Sequence, residues 1–531
     1  MKAISEKFDA IVIGSGMGGL CTASILSKAG KNVLVLEQHY TAGGFTHSFK
    51  RKGYEWDVGV HYIGKVHKED ALLRKVFDYV SDNQLKWAFM GEVYDRMVFP
   101  DRIYDFKAGE NDFKNELIKY FPEEEKAIND YVKIATHTAR SFRNFVIPKV
   151  LPPPLDKLLS PFLGRKFRHL GGQTTLSVLN RFTGNKKLIG ALTAQWGDYG
   201  LPPGRSSFGM HALVVDHFLD GGNYPVGGAS SIARTLIPVI ERNGGRVAVK
   251  APVKEILIEN GQAVGVLLKN GDRLRSSLVV SGTGLINTFS ELVRKNPKGN
   301  NINERYQNIR PSLAHVCLYI GIEQSAQSLG LKPANLWIFP GYDHDANLSR
   351  YLRDPSAPLP LVFISFPSSK DPDWDNRFPN KATIEMVSLA PYEWFQNWED
   401  TQWGKRRGGY EDLKKNFTDR LLQQLYKYVP QVQGKINYWE LSSPLSTRHF
   451  CNYKSGEIYG LEHTPHRFKQ NWLRPKTPIK NLFLTGQDIA TAGVGGALIS
   501  GVLTSSAILK RNLLKDILIV PRHQKVTSLD G

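Results

Sequence analysis

The feature that most constrains this chain is a glycine-rich turn between two apolar runs near its start. Residues 8–13 (F-D-A-I-V-I) lead into Gly14-Ser15-Gly16-Met17-Gly18-Gly19, then a helix-like segment, a second apolar run at 33–36 and the acid Glu37. In such a βαβ unit the first glycine makes the tight turn, the second admits a pyrophosphate and the third lets helix and strand pack closely. The helix N-terminus attracts phosphate and the acid accepts hydrogen bonds from a ribose. This succession of strand, glycine-rich turn, helix, second strand and acid predicts dinucleotide binding. The alternative is a glycine-rich turn in an unrelated α/β domain.

A second glycine pair identifies which dinucleotide to expect. Gly43-Gly44 follows directly after the acid, where a nicotinamide enzyme usually begins another crossover helix. A loop with two glycines suits close passage along the diphosphate and flavin of FAD. The predicted cofactor contacts of this segment are Gln38, Gly43, Gly44, Phe45 and Thr46.

A matching motif stands near the other end of the chain. Residues 481–488 (N-L-F-L-T-G-Q-D) predict a short strand, and the glycines from 493 onward open an apolar helix that runs to about 509. In the large group of flavoproteins that this unit resembles, the acid lies near the ribityl-pyrophosphate junction. The helix N-terminus there points at the flavin edge where negative charge gathers on reduction. Further candidate cofactor residues are therefore Gly486, Asp488, Val494, Gly495, Gly496 and Ala497. A plain C-terminal helix with a glycine-rich cap is the alternative.

The two motifs predict an α/β fold in which a discontinuous Rossmann-type FAD-binding domain carries an α+β substrate-binding domain built on a mixed sheet. Residues 361–372 and 383–395 alternate as neighbouring strands of that sheet would, and residues 68–142 predict charged helices. The predicted division assigns residues 1–75, 223–295 and 471–531 to the FAD domain and residues 76–222 and 296–470 to the substrate domain, with 76–222 facing a membrane.

The candidate catalytic residues follow the first glycine pair. The stretch 51–64 alternates and then turns at a glycine, which predicts that Asp57, His61 and Tyr62 lie beneath the flavin; a hairpin with an internal aspartate cap is the alternative. A row of aromatic residues predicts either an apolar tunnel or ordinary core: Trp337, Phe339, Tyr342, Phe363, Phe366, Tyr392, Trp394 and Phe395. No metal site is expected, because the three cysteines are far apart and His211 and His217 lack ligand spacing.

Charge adds a prediction about partners. The chain has 69 Lys and Arg against 50 Asp and Glu, a formal charge of +19, so part of its surface attracts anions. Residues 142–170 interleave bulky apolar and basic residues, as does the tail 508–522, which predicts peripheral contact with an anionic membrane surface. A solvated proline-rich connection and ordinary amphipathic packing are the alternatives. No nucleic-acid module is visible, and without a spanning run of about 20 apolar residues or a signal-peptide pattern the expected location is cytoplasmic.

Longer stretches carry a resemblance to a known family. They are V-L-V-L-E-Q-H with A-G-G, D-V-G-V-H-Y-I-G, S-F-G-M-H-A-L-V-V-D-H-F, F-P-S-S-K-D-P-D-W-D-N-R-F-P, P-Y-E-W-F and L-F-L-T-G-Q-D-I. On these the chain resembles the all-trans-retinol 13,14-reductase (retinol saturase) family, a branch of the phytoene desaturase and carotenoid isomerase flavoproteins. Two departures stand out. Phe45 and Thr46 occupy positions where vertebrate members carry cysteines, and the N-terminal membrane-targeting segment of those members is missing.

The resemblance implies FAD-dependent saturation of one double bond in a polyene. Saturation needs a hydride and a proton, and His61 and Tyr62 are the candidate proton donors. The resemblance also implies that Val253 contacts the adenine. Three electron sources stay open because no second nucleotide domain is predicted: transient NAD(P)H, a separate donor protein, or the substrate itself. The competing functions are carotenoid cis-trans isomerisation or desaturation on the same fold, and a flavin-containing lipid carrier without turnover.

Overall fold

The computed structural model describes residues 8–151, 155–293 and 309–519. Parts of several predicted segments lie outside the described residues: 1–7, 294–308 and 520–531 of the predicted domains, 152–154 of the basic stretch and the last three residues of the tail 508–522. The described strands are β1 (Ala10–Ile13), β2 (Val33–Leu36), β3 (Ser48–Arg51), β4 (Tyr54–Asp57), β5 (Trp87–Phe89), β6 (Val93–Val98), β7 (Ile103–Lys107), β8 (Asn223–Pro225), β9 (Arg246–Ala248), β10 (Val253–Glu259), β11 (Gln262–Leu268), β12 (Arg273–Arg275), β13 (Val279–Ser281), β14 (His315–Ile322), β15 (Asn335–Ile338), β16 (Val362–Ser365), β17 (Ala382–Leu389), β18 (Ile436–Ser442) and β19 (Leu482–Leu484).

The helices of the same ranges are α1 (Met17–Lys28), α2 (Leu72–Val80), α3 (Glu110–Tyr120), α4 (Glu125–Val146), α5 (Leu155–Leu163), α6 (Arg165–Gly171), α7 (Thr175–Leu179), α8 (Lys186–Leu192), α9 (Phe208–Phe218), α10 (Ser231–Arg242), α11 (Leu285–Asn287), α12 (His344–Arg353), α13 (Pro367–Lys370), α14 (Trp374–Arg377), α15 (Tyr410–Tyr428), α16 (Pro444–Cys451), α17 (Pro465–Phe468), α18 (Gly493–Leu509) and α19 (Leu513–Ile519). They include an uninterrupted series, α3 to α9, between β7 and β8. In the described ranges no helix combines the length and apolarity that crossing a membrane requires.

A five-stranded parallel sheet brings the two ends of the chain together. Its order is β19-β13-β1-β2-β9, and every neighbouring pair is parallel. Strands β1, β2 and β13 are buried along their whole length, which is why they appear in the sequence as continuous apolar runs. Helices α1 and α18 pack against each other so closely that a Cβ on Gly501 would lie 2.6 Å from the Cβ of Cys21. The strands of this sheet come from the three segments predicted for the FAD domain.

A seven-stranded mixed sheet forms the second layer. Its order is β18-β14-β17-β16-β15-β6-β7, parallel only where β15 meets β6. Strands β16 and β17 are antiparallel neighbours, with Phe363 opposite Val387, so the predicted mixed sheet and the predicted α/β fold class are confirmed. The hairpin β3–β4 packs on this sheet, where Trp56 Nε1 donates to the carbonyl of Ile320 at 2.9 Å.

The expectation of charged helices over residues 68–142 is wrong for its middle part. Strands β5, β6 and β7 lie there, and β6 and β7 form one edge of the seven-stranded sheet. The alternation that marks β7 is visible in I-Y-D-F-K, whose tyrosine and phenylalanine are buried while the isoleucine is exposed. Its charged residues obscured this period of two, because they lie on the outer face of an edge strand.

Candidate functional site

A cavity of about 610 Å³ lies where the two sheets meet. The residues at the carboxyl ends of β1, β2, β13 and β19 line one half, and side chains of β14 to β17 line the other. The carboxyl end of a parallel sheet is the usual ligand position in open α/β folds. Of the predicted cofactor residues, the cavity is lined by Gly14, Gly16, Met17, Gly18, Glu37, Gln38, Gly43, Gly44, Phe45, Thr46, Val253, Gly486, Val494, Gly495, Gly496 and Ala497.

The first glycine turn has the geometry that its spacing predicts. Gly14 has a φ of +91°, and a Cβ on Gly19 would lie 2.1 Å from the Gly14 carbonyl oxygen, so α1 could not pack here with any side chain at that position. A Cβ on Gly16 would meet no atom within 4 Å. Helix α1 begins directly after Gly16 without a side-chain cap. Its N-terminal N–H groups therefore face open space that an anion can occupy.

Glu37 ties the first turn to the second glycine pair. Its Oε2 accepts from Ser15 N at 2.9 Å and from Ser15 Oγ at 2.7 Å, and its Oε1 accepts from His39 N at 2.8 Å. Ser15 Oγ in turn accepts from Gly43 N at 3.0 Å. Ser15 therefore links the two loops through hydrogen bonds and does not itself line the cavity. Three of the roughly four acceptor positions of the carboxylate are filled, which leaves one for a ligand.

The C-terminal motif lies directly against the first turn. A Cβ on Gly18 would lie 2.7 Å from Gly486 N, and Thr485 Oγ1 donates to the Gly18 carbonyl at 3.2 Å. Helix α18 begins with Gly493 at a φ of +77° and has no side-chain cap. The two glycine motifs, in which Thr485 and Gly18 are 467 residues apart in the chain, thus place two uncapped helix N-termini on one cavity.

Asp488 does not line the cavity, in contrast to the sequence-based expectation. Its Oδ2 accepts from Leu285 N at 2.8 Å and its Oδ1 from Leu461 N at 3.0 Å, so the carboxylate fixes two neighbouring loops. The preceding residue, Gln487, lines the cavity in its place. Gly19 also lies outside the lining, because its part is the contact with Gly14.

The loop after β4 brings both candidate catalytic residues to the cavity. His61 and Tyr62 line it, and Tyr62 stacks on Phe218 with ring centroids 4.2 Å apart. The third residue of the prediction, Asp57, is buried outside the lining: its Oδ1 accepts from Ala229 N at 2.9 Å, and Tyr224 donates to its Oδ2.

His61 is held by a carboxyl group from the seven-stranded sheet. Its Nδ1 lies 2.7 Å from Glu385 Oε2, and Glu385 Oε1 accepts from Asp57 N at 2.6 Å. Burial, with Lys370 nearby, lowers the pKa of His61 to about 4, and burial raises the pKa of Glu385 to about 8. The pair therefore carries no net charge at neutral pH, with a neutral imidazole turned toward the cavity.

Lys370 lies behind this pair and joins the loop to the sheet. Its Nζ donates to the His61 carbonyl at 3.0 Å, to Ser365 Oγ at 2.7 Å and to Asn335 Oδ1. Burial lowers the pKa of this lysine to about 7, against the raising effect of Glu385 and of two aspartates.

Tyr62 lies in a second polar cluster that includes two aspartates. Its Oη lies 3.0 Å from Asp95 Oδ2 and 3.1 Å from Asp198 Oδ2. Asp95 also accepts from Gln195 Nε2 at 2.9 Å and from Asn335 Nδ2 at 2.8 Å. Burial raises the pKa of the Tyr62 phenol well above its usual value, so Tyr62 keeps its proton.

The cavity beyond these groups is mostly apolar. Of the predicted aromatic row, Trp337 and Phe363 line it, together with Leu361, Val387, Leu389, Val214 and Phe218. The other six predicted aromatics, Phe339, Tyr342, Phe366, Tyr392, Trp394 and Phe395, do not line it. Phe339 and Tyr342, for example, stack on Phe99. His211 is buried between Tyr131 and Tyr199, whereas His217 lines the cavity and accepts from Gly64 N at 2.7 Å.

The sequence-based analysis missed Glu385, Asp95, Lys370, Asp198 and Gln487. For the first two a signal existed, because each is the one acid among mostly apolar strand residues, in T-I-E-M-V and in V-Y-D-R-M-V. Such an acid is expensive to bury without partners. Which face of the strand it occupies was not predictable before the sheet order was known.

We expect Glu385→Gln to change how the stability of the protein depends on pH. The pKa of Glu385 is raised from 4.5 to about 8, so the folded protein holds a proton that the unfolded chain has released in this window. The stability from this group is complete below pH 4.5 and is lost as the pH rises through 8, by at most about 1.4 kcal/mol per pH unit. Glutamine does not titrate, so the variant should gain stability relative to wild type as the pH rises.

Chemical unfolding near the two ends of this window, compared with the exposed Glu259→Gln, measures the effect. A stability difference between Glu385→Gln and wild type that stays constant with pH would contradict the prediction.

Comparisons with known proteins agree with this geometry. The profile of the family described as "Flavin containing amine oxidoreductase" matches residues 17–509. A Danio rerio protein named all-trans-retinol 13,14-reductase is 38% identical over 530 residues, covering 96% of this chain and 87% of its own length. The Homo sapiens protein of the same name is 38% identical over 539 residues, covering 97% and 87%.

More distant similarities reach two other groups. A prolycopene isomerase of an Oncidium hybrid cultivar is 26% identical over 472 residues, covering 86% of this chain and 76% of its own. Among solved structures, a wild-type putrescine oxidase bound to putrescine superimposes with a TM-score of 0.62 at 16% identity, covering 95% of this chain and 100% of the other. At that identity the superposition shows a shared fold.

Proposed function

Because the chain belongs to the flavin-containing amine oxidoreductase family and, within it, to the all-trans-retinol 13,14-reductases, we propose that it is an FAD-dependent oxidoreductase that saturates one double bond of a retinoid or carotenoid-like polyene. The observation that carries this proposal is one cavity with two chemically different halves. Uncapped helix ends and glycine loops form one half, and an apolar chamber with a few buried polar groups forms the other.

The residues of the first half fit FAD. The open space over Gly16 leaves room for a diphosphate against the N-terminus of α1. Glu37 has one acceptor position left for a ribose hydroxyl, and Val253 and Gln38 border the adenine end that the family resemblance implies. Helix α18 would direct its N-terminus at the flavin ring. When bound and reduced, FAD supplies a hydride equivalent.

The second half fits a long apolar chain. An alkene without a conjugated carbonyl offers no oxygen to polarise, so the protein must exclude water, hold the chain in place and supply a proton. Trp337, Phe363 and Val387 provide an apolar wall. His61, Tyr62 and Asp198 are among the polar groups that line the cavity.

The test is incubation of the purified protein with all-trans-retinol and chemically reduced flavin, followed by mass spectrometry. A product heavier than the substrate by two hydrogens supports the proposal. Unchanged mass with a shifted absorption spectrum would instead support the second candidate, a cis-trans isomerase, which the similarity to a prolycopene isomerase favours. Bound flavin that no donor reduces, with no product, would support a carrier without turnover.

The electron donor is a further part of the proposal. We propose transient NAD(P)H or a separate donor protein, because the described chain has one dinucleotide-type parallel sheet and both of its glycine motifs serve the same cavity. Anaerobic bleaching of the bound flavin by NADPH, by NADH or by neither distinguishes these sources.

Peripheral membrane association is also proposed, and the surface of α5 supports it. Leu155, Leu158 and Phe162 stand at helical spacings of three and four, and they are 47%, 63% and 76% exposed. Basic residues of α6, Arg165 and Lys166, are exposed beside them. An exposed apolar stripe beside basic residues suits an anionic headgroup layer.

Residues of the helix that precedes this surface in the chain line the cavity. Phe142, Arg143 and Val146 of α4 line the cavity, and the chain runs from Val146 through the turn Ile147–Val150 toward α5. A membrane-dissolved substrate entering from this side would reach the apolar half directly.

We expect the double substitution Leu158→Glu with Phe162→Glu to weaken binding to phosphatidylserine vesicles by at least about 100-fold, because burying each side chain contributes roughly 1.5–3 kcal/mol. Thermal stability should stay unchanged, since both side chains are exposed. Co-sedimentation with vesicles measures the effect.

The matched control is Ile103→Glu with Leu352→Glu, which replaces exposed apolar residues on other elements. Equal vesicle binding by the two double variants would contradict the assignment of α5.

A further inference from the structure

The hydrogen bonds around Tyr62 cannot all form unless one neighbouring carboxyl carries a proton. The Tyr62 hydroxyl has a single hydrogen, yet its oxygen lies 3.0 Å from Asp95 Oδ2 and 3.1 Å from Asp198 Oδ2. Each of these short contacts needs a hydrogen between the two oxygens. Tyr62 can supply one of them, so Asp95 or Asp198 must supply the other.

Hydrogen bonds identify Asp95 as the carboxylate of the pair, even though burial raises its pKa above the usual value. Asn335 Nδ2 donates to its Oδ1 and Gln195 Nε2 donates to its Oδ2. The orientation of the Asn335 amide is fixed, because its oxygen accepts from Lys370 Nζ. With the Tyr62 hydroxyl as a third donor, Asp95 has the surroundings of a carboxylate. The hydrogen between Tyr62 and the second aspartate therefore belongs to Asp198.

Asp198 is the member of the pair that lines the cavity. It lies in the short 3-10 turn Ala194–Asp198 and lines the chamber with Gly197, near Trp337 and Phe363. Within the described residues, Tyr62 is the one hydrogen-bond partner that its carboxyl has. Burial and the neighbouring Asp95 also raise the pKa of Asp198 well above its usual value.

From this geometry we propose that Asp198 is the proton donor of the reaction, and that Tyr62 and Asp95 are positioning residues that keep it protonated. The inference rests on the proposed function and names the acid that function requires. The two proton donors predicted from the sequence, Tyr62 and His61, are less suitable for this role. Loss of the Tyr62 proton would place a phenolate beside Asp95, and the neutral His61 is a very weak acid whose Nδ1 is already engaged by Glu385.

The step balances without a further co-reactant. The O–H bond of Asp198 breaks, its electron pair stays on oxygen, and the hydrogen forms a new C–H bond at one alkene carbon. Reduced FAD, the reductant of the proposed function, would when bound supply the hydride equivalent for the C–H bond at the neighbouring carbon. The substrate thus gains two hydrogens and two electrons. Asp198 remains as a carboxylate that Tyr62 can donate to, and water returns the proton between turnovers.

The test compares Asp198→Asn with wild type in the flavin-loaded protein. Asparagine keeps the shape and the hydrogen bond to Tyr62 but has no acidic proton. We expect turnover of all-trans-retinol with reduced flavin to fall by at least about 100-fold, with flavin content and retinol binding unchanged. Asp198→Glu, which restores the acid, should recover part of the rate. The matched control is Asp345→Asn, a half-buried carboxylate that accepts from Gly204 N at 2.9 Å and lies outside the cavity.

A second measurement needs neither cofactor nor turnover. The infrared spectrum of the wild-type apoprotein near neutral pH should contain the C=O band of a protonated carboxylic acid that Asp198→Asn lacks and Asp345→Asn keeps. The titratable groups that interact electrostatically with Asp198 are Tyr62, Tyr94, Asp95, Tyr199 and Tyr459. None of these is altered in the variant.

The possible results distinguish failure of the proposed function from failure of the Asp198 assignment. If wild type forms no product heavier by two hydrogens, both the proposed function and this inference are wrong. If wild type forms that product and Asp198→Asn loses less than about tenfold in rate, the assignment of Asp198 is wrong while the proposed function stands. The absence of the infrared difference band would have the same meaning.

Discussion

Gly16→Asp is expected to remove FAD binding while leaving the protein folded. A Cβ at this position meets no atom within 4 Å, and the backbone φ of −62° suits any residue. Aspartate is also a favourable residue just before a helix, so α1 should form at least as well. Its carboxylate, however, would occupy the place where the diphosphate approaches the helix N-terminus. Two unit charges about 4 Å apart repel by about 4 kcal/mol at an effective dielectric constant near 20, which corresponds to roughly 1,000-fold in affinity.

Titration of the apoprotein with FAD, followed by flavin fluorescence, measures this loss, and a thermal scan checks the fold. Gly184→Asp is the matched control, because Gly184 is exposed and its Cβ would also meet no atom within 4 Å. Gly19→Ala is a second comparison, at a glycine whose surroundings leave no room for a side chain. Its Cβ would lie 2.1 Å from the Gly14 carbonyl oxygen, so that variant should lose the fold together with the cofactor. Wild-type affinity for FAD in Gly16→Asp would mean that the diphosphate lies elsewhere.

Lys370→Met should destabilise the protein by about 3–5 kcal/mol, the cost of removing one partner from a buried charged cluster. The methionine fills most of the space but donates to none of the three oxygens that Lys370 serves, on His61, Ser365 and Asn335. It also removes a positive charge that interacts with the buried carboxyl groups of Glu385 and Asp95.

Denaturant unfolding followed by tryptophan fluorescence measures the loss, with Lys405→Met as the exposed control for the chemical change itself. Because Lys370 holds the carbonyl of His61, the variant should also lose retinol turnover by more than its loss of FAD affinity. Unfolding midpoints that agree for Lys370→Met and the control would contradict the view that this lysine joins the catalytic loop to the seven-stranded sheet.

The two glycine motifs were predictable because each is a local requirement. Only glycine allows the approach of Gly19 to Gly14, and Gly493 occupies a positive φ at the start of α18, so these positions are visible in the sequence itself. The strands β1 and β2 were also predictable, since a parallel strand that is buried on both faces appears in the sequence as a continuous apolar run. The mixed sheet followed from the alternating runs of β16 and β17.

The directions of other side chains depend on contacts between distant parts of the chain. Asp488 ends its strand as the motif requires, but its carboxylate turns to the amides of Leu285 and Leu461, which are distant in sequence. Six of the eight predicted tunnel aromatics pack elsewhere in the protein, because a side chain's direction depends on the register of its strand or turn.

The sequence by itself determined the cofactor half of the site, because a turn, a close approach and a helix start are properties of a few consecutive residues. Only the tertiary structure decided the chemistry of the other half. Asp198, Tyr62 and Asp95 come from a 3-10 turn, a loop and the strand β6, and the distances among their oxygens exist only after the sheets have assembled. Whether a carboxyl group holds its proton depends on those distances and on the burial around it, and neither is a property of neighbouring residues in the chain.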